Sequence, residues 1–305
     1  MSHDSALEQD DDHPDAVEER EGHHVLAAEG VTPRARLAWL CGAGELAERP
    51  TLAVVVAHPD DEVVGAGARL AARAPDHFVV VTDGAPRDPR DATRAGCRTR
   101  AEYARMRRAE RDDAAAVLGV PPERVAELGA VDQEASLALA GLARRCARLL
   151  AERGIDLVLT HAYEGGHPDH DATAFVVHAA CALLRAAGAP APTVAEMTSY
   201  HLRDGALAAG VFLAGPGDAG TLVEPARGGR GAKERLFGCY ASQRATLAPF
   251  RASAERFRLA PRYDFTAPPH RGVLHYELYP WGMSGERWRA LAAEALAGLG
   301  IAGAA

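Results

Sequence analysis

Two short stretches concentrate the residue types that hold cations and move protons. AHPDDE at 57–62 places His58, Asp60, Asp61 and Glu62 directly after the apolar run TLAVVVA. HAYEGGHPDHDAT at 161–173 carries His161, His167, Asp169, His170 and Asp171 at the end of the run DLVLTH. Imidazole and carboxylate are zinc ligands, and a catalytic zinc keeps three protein ligands plus an open position for water. The H-x-x-D spacing of His58 and Asp61 lets two ligands approach one ion from a single turn. One histidine of the second stretch then completes a 2-His-1-carboxylate set. Such a set with open positions also suits iron(II), so ligand type leaves the metal open between the two. Pro59 fixes its own φ and ends the strand, which helps aim His58. Asp60 and Asp61 fall at a helix N-terminus, where the macrodipole favours negative charge. Either stretch alone is weak, because His-Pro-Asp is common in turns. The metal reading comes from the two together.

Elements must bring the two stretches to one place. TLAVVVA (51–57) and DLVLTH (156–161) are short continuous apolar runs, typical of strands covered on both faces. HFVVVTDG (77–84) reads as a third strand ending in a turn, and RVAEL (124–128) as a short fourth. Helical patterns begin at Ala35 and cover 63–74, 105–120 closed by Gly119, 136–154 capped by Gly154, 172–188 and 286–300. Strands alternating with helices predict an α/β, Rossmann-like fold with a mostly parallel sheet flanked by helices. Right-handed crossovers put the C-terminal ends of such strands along one edge, where ligands bind. The active site is therefore expected at that edge. Residues 215–236 read as a mobile glycine-rich loop leading into a helix, and 260–272 as turn-rich.

Composition narrows the classes further. The chain has 305 residues and a net charge of −8. Residues 1–22 hold nine acids and one base, which leaves 33 acids and 33 bases in the rest. A body with no net charge has no field that would gather nucleic acid or an anionic membrane. Residues 1–30 read as a disordered acidic tail. DDDHPD at 10–15 imitates the first stretch, but no strand precedes it and no helix follows, so it reads as solvated. Five scattered cysteines without a CxxC argue against a disulfide framework or a thiolate zinc site, and suit a reducing cytosol. No apolar stretch resembles a secretory signal or a membrane helix. A cytoplasmic protein is expected.

AHPDDE (57–62) together with GHPDH (166–170) resembles the LmbE-like, or PIG-L, family of zinc-dependent N-acetylglucosaminyl deacetylases. RRAERDDAAAVLGV (107–120) is similar to that family's R-x-x-E helix, and KERLFGCYASQ (233–243) to its later K…SQ segment. The resemblance spans roughly 50–250 and implies a single deacetylase domain over 31–305 with a looser C-terminal part. It implies that His58, Asp61 and His170 hold the metal. It makes Asp60 the general base, and His167 the histidine that faces the substrate carbonyl in protonated form. Asp169 is expected to orient His167 or His170. Glu62 reads as a structural acid of the first turn, and Arg107 matches the family's R-x-x-E position. The implied reaction frees acetate from the amide nitrogen of an N-acetylated amino sugar or its conjugate.

Other residues are open at this level. Asp83, at the end of a strand, fits a pocket wall or a turn cap. His161 fits a pocket residue or a strand-end cap. The arginines of 87–111 could grip a phosphate but read better as a solvated helix face. His178 reads as a core residue. Trp281 and Trp288 could stack on a sugar, with helix packing the preferred use. Competing functions are an amidase on a thiol conjugate or glycoside antibiotic, a metallophosphoesterase, and a catalytically dead sugar-binding module. The sugar, its aglycone and the oligomeric state are not encoded in any motif of the chain.

Overall fold

In the computed structural model, which describes residues 31–213, 219–250 and 254–301, the apolar runs form the middle of one sheet. The chain runs α1 (Pro33–Cys41), β1 (Leu52–Val56), α2 (Asp61–Ala72), β2 (His77–Thr82), α3 (Pro89–Arg94), α4 (Arg100–Leu118) and β3 (Val125–Ala130). It continues through α5 (Leu139–Glu152), β4 (Leu157–His161), α6 (Pro168–Ala186), β5 (Thr193–Met197), β6 (Tyr200–Arg203) and β7 (Ala206–Ala209). The rest is β8 (Thr221–Val223), α7 (Gly229–Cys239), α8 (Arg244–Leu247), β9 (Glu255–Leu259) and α9 (Gly285–Leu299). The acidic tail expected at 1–30, with its DDDHPD, lies outside the described residues.

The sheet order is β3-β2-β1-β4-β5-β9-β8. The first five strands are parallel, and β9 runs antiparallel to both β5 and β8. Every residue of β1, β2 and β4 is buried, because helices cover both faces. The period of two divides β1 between two cores. Ala53 and Val55 face a layer with α5, α6 and α9, while Leu52, Val54 and Val56 face one with α2, α4 and α7. The connections out of β1 and β2 therefore lie on one face, and those out of β3 and β4 on the other. The winding reverses between β1 and β4, and such a reversal opens a crevice at the C-terminal ends of the two strands.

The loop expected at 215–236 contains β8, a three-residue edge strand paired to β9, and the start of α7. β8 is mostly exposed, so it has no apolar run to reveal it. The separate β6–β7 hairpin turns through Asp204 and Gly205, both at positive φ. No described helix is long and apolar enough to cross a membrane.

Candidate active site

The two motif stretches leave β1 and β4, the strands that flank the reversal. The β1–α2 turn carries His58, Asp60 and Asp61, and α6 opens with His167 as its N-cap, Pro168 and His170. Gly166 lets this second loop close on β6. A Cβ built there would lie 1.9 Å from the Tyr200 carbonyl oxygen, so no side chain fits.

Asp61 joins the two stretches. Its Oδ2 lies 3.2 Å from His58 Nδ1, and its Oδ1 lies 3.1 Å from His170 Nε2. Burial alone would raise the Asp61 carboxyl, but the imidazoles of His170, His161 and His58 outweigh it and hold it well below the usual range. Ligand-capable atoms gather in three overlapping groups among the described residues: His58, His167 and His170; Asp61, His161 and His170; His58, Asp132 and Asp169. The expected set of His58, Asp61 and His170 straddles the first two. Its donors are two imidazoles and a carboxylate, each imidazole about 3 Å from one of the two Asp61 oxygens, the donor types that zinc and iron(II) take. His161 is a strand-end cap: its Nε2 accepts the Ala57 N–H at 3.1 Å, beside Asp61 at 3.3 Å.

Asp60 is the more extreme of two backbone outliers lining the site, the other being Gln133 at φ 70°. The Asp60 φ of 116° is rarely adopted by a non-glycine residue and persists only where surrounding contacts impose it. Those contacts are present. Arg107, 2% exposed, donates to Asp60 Oδ2 at 2.6 Å and to the Pro59 carbonyl. Glu62 Oε2 accepts the Asp60 N–H at 3.1 Å, and Tyr240 holds Glu62 through a 2.6 Å hydrogen bond. Burial pushes the Asp60 carboxyl up, to about 7, against the pull of Arg107. Arg107 also donates to Glu110 at 2.8 Å, and Glu110 accepts both the N–H and the hydroxyl of Ser242 at 2.7 Å. The R-x-x-E helix and the SQ segment thus meet in one buried network behind Asp60.

Two expectations change, and one open alternative is decided. The Asp169 carboxylate does not reach the rings of His167 or His170. It lies 3.2 Å from His58 Nε2 and accepts the backbone N–H groups of Gln133 and Ala135. His167 is neutral, because burial and the neighbouring His58 lower it to about 3. Its Nδ1 accepts the Asp169 N–H at 3.2 Å, which leaves the ring proton on Nε2. Asp83 is a turn cap, accepting the N–H groups of Ala85 and Asp132 and pairing with Arg100. It is not among the residues lining the cavity over the site.

That cavity, about 170 Å³, is lined by His58, Asp60, Asp61, His167 and His170, with Tyr200 and Trp281 among its aromatic walls. The two tryptophans part ways. Trp288 is fully buried and donates to the Pro168 carbonyl at 3.0 Å, as helix packing predicts. Trp281 faces the cavity, its ring 4.6 Å from His167 and stacked on Tyr279 at 4.5 Å. Asp132, 3.2 Å from His58 Nε2, has no counterpart in the sequence reading. Its position just past β3 is the signal that could have found it, since the same edge carries both motif stretches.

Residues 53–181 match the family PIG-L: GlcNAc-PI de-N-acetylase. Over these residues the chain is similar to the PIG-L family. Both motif stretches and the R-x-x-E helix lie inside the match, whereas the SQ segment and Trp281 lie outside it. No curated protein matches the chain. Among solved structures, the A40926 pseudoaglycone deacetylase Dbv21 is 23% identical with a TM-score of 0.49, over 66% of this chain and 85% of that one. The N,N'-diacetylchitobiose deacetylase from Pyrococcus horikoshii is 18% identical with a TM-score of 0.49, over 70% of this chain and 84% of that one. GalB, the 4-carboxy-2-hydroxymuconate hydratase from Pseudomonas putida KT2440, is 22% identical with a TM-score of 0.48, over 66% and 82%.

Proposed function

We propose that this chain is a metal-dependent amide hydrolase that removes the acetyl group from an N-acetylated amino sugar or its conjugate. One observation carries the reading: His58, Asp61 and His170 converge from two strand ends, beside a buried Asp60 held in a strained conformation by Arg107. The family match supports the reaction class.

An ion held by His58, Asp61 and His170, zinc by preference with iron(II) as the alternative, would polarise the amide carbonyl and lower the pKa of a water. Asp60 takes a proton from the attacking water. The water oxygen bonds to the acetyl carbon as negative charge grows on the carbonyl oxygen. His167, neutral and protonated at Nε2, donates a hydrogen bond to that oxygen. Asp60 then returns its proton to the amine nitrogen as the C–N bond breaks, and the second water proton passes from the new carboxylic acid to the amine, leaving acetate and an ammonium group. Asp169 and Asp132 fix the His58 ring from its Nε2 side.

The test combines metal content with acetate release. Elemental analysis of wild type and His170→Ala, alongside acetate release from N-acetylglucosamine conjugates, is expected to show about one ion per wild-type chain. The variant loses both ion and turnover. A well-folded wild type that takes up no zinc or iron on reconstitution would sink the reading.

A further inference from the structure

We propose that a second cavity, at the opposite end of the sheet from the candidate active site, binds a small phosphorylated ligand carrying at least two negative charges. The inference is independent of the reading of the active site.

The cavity measures about 550 Å³, within the range of ~300–1,000 Å³ typical of small-molecule sites. It opens beside Thr193, the first residue of β5, whereas the active site gathers at the C-terminal ends of β1 and β4. Arg36, Arg185, Arg262 and His178 line it, and no aspartate or glutamate is among the described lining residues. The nearest carboxylate contact is outside the wall: Asp156 Oδ1 lies 3.3 Å from Arg36 Nη2. Even after that pairing, two guanidinium groups remain in the wall, and no ion pair to Arg185 or Arg262 is seen among the described residues.

Arg36 is already aimed. Its Nη1 donates to Thr193 Oγ1 at 3.1 Å and Nη2 to Asp156, which fix the guanidinium plane. Its Nε is buried without an acceptor among the described residues, so Arg36 meets a ligand through its charge and its outer N–H groups. Guanidinium groups bind phosphate oxygens through paired N–H donors, and a phosphate has oxygens enough to meet more than one guanidinium at once. The two guanidinium groups left without a carboxylate partner among the described residues, beside the paired Arg36, favour a ligand with more than one negative charge. His178 and Arg185 stand seven residues apart on α6, on one helical face. The same helix opens with His167 and His170, so a ligand in this cavity would rest on the element that supplies half of the active site.

The test uses the whole chain, titrated calorimetrically with inorganic pyrophosphate and with glucose 6-phosphate in chloride buffer of constant ionic strength. The comparison is an Arg185→Ser/Arg262→Ser double variant. Both arginines are exposed, so the fold is expected to survive, and circular dichroism checks it. Saturable one-to-one binding of either probe to wild type, weakened at least tenfold in the double variant, supports the site. Pyrophosphate alone binding would assign the recognition to the anion, and glucose 6-phosphate binding more tightly would extend it to the attached sugar. Pyrophosphate also chelates metal ions at the active site, so a signal that persists unchanged in the double variant overturns the proposal. Absence of binding by both probes overturns it as well.

Discussion

The Asp60 carboxylate lies 2.6 Å from the Arg107 guanidinium, and the same guanidinium reaches the Pro59 carbonyl and Glu110. One buried cation thus holds the side chain of the proposed base, the backbone before it and the network behind it. Removing one member of a buried ion pair leaves the other charge uncompensated, at a cost of about 3–5 kcal/mol. Arg107→Met is expected to lower stability by roughly that much and to reduce turnover more than a hundredfold, an order of magnitude consistent with misplacing a catalytic group. Arg107→Lys is expected to recover part of the stability and little of the rate, since one ammonium cannot span three acceptors. Urea denaturation and acetate release measure the two effects separately.

Asp60→Asn keeps the shape of the side chain and removes its basicity. Loss of a general base costs typically ~10²–10⁴ in rate. The expected outcome is a fall in kcat of that order with metal content unchanged, read by elemental analysis on the same preparation. Turnover within a few-fold of wild type would remove Asp60 from the mechanism.

Trp281 makes a flat apolar wall beside His167 and is backed by Tyr279. Truncation to alanine removes contact area near the reacting group without opening the core. Trp281→Ala is expected to raise KM about tenfold, corresponding to ~1.4 kcal/mol of binding. Its midpoint in a thermal melt should stay close to wild type. A large loss of stability would return Trp281 to the packing role that the sequence alone suggests.

Glu196 offers a pH test away from the metal ligands. It is fully buried and accepts a hydrogen bond from Arg258 Nε at 2.8 Å. Burial outweighs Arg258 and raises its carboxyl to about 7. Between the ordinary carboxylate range and that value, the native state holds a proton that the unfolded chain has released. The native state binds more protons there, so this group's contribution to stability falls as pH rises from 5 to 7. Glu196→Gln removes the titration, and its stability relative to wild type is expected to improve across that window by on the order of 2 kcal/mol. Denaturation midpoints at pH 5, 6, 7 and 8 check the sign; a difference that does not change with pH would refute it.

What the sequence disclosed follows from how local each signal is. β1, β2 and β4 are continuous apolar runs because both faces are covered, so their existence and parallel arrangement are legible without neighbours. His58, Asp61 and His170 are adjacent in space because the strands that carry them pair side by side. The R-x-x-E and SQ fragments were visible as words but not as a sentence: only the packing of α4 beside the 3₁₀ turn at Ala241–Gln243 joins Glu110 to Ser242. Asp169 turns to His58, and His167 is uncharged, for reasons set by burial and by partners more than a hundred residues away, which no spacing encodes. Asp204-Gly205 is a hairpin signal in the sequence, yet the strands it joins are four residues long and weakly patterned. Trp281 and Trp288 differ only in what lies across from them.

The reversal of winding between β1 and β4 makes the candidate site a seam. Asp61 belongs to chain that folds back over one face of the sheet, and His170 to chain that folds over the other. An ion gripped by both would rivet the two layers together across that seam. Occupancy would then set the thermal lifetime of the molecule as well as its chemistry, because anything bound only by the folded state holds the fold closed. Stripping the ion would loosen the protein first where its two halves are joined.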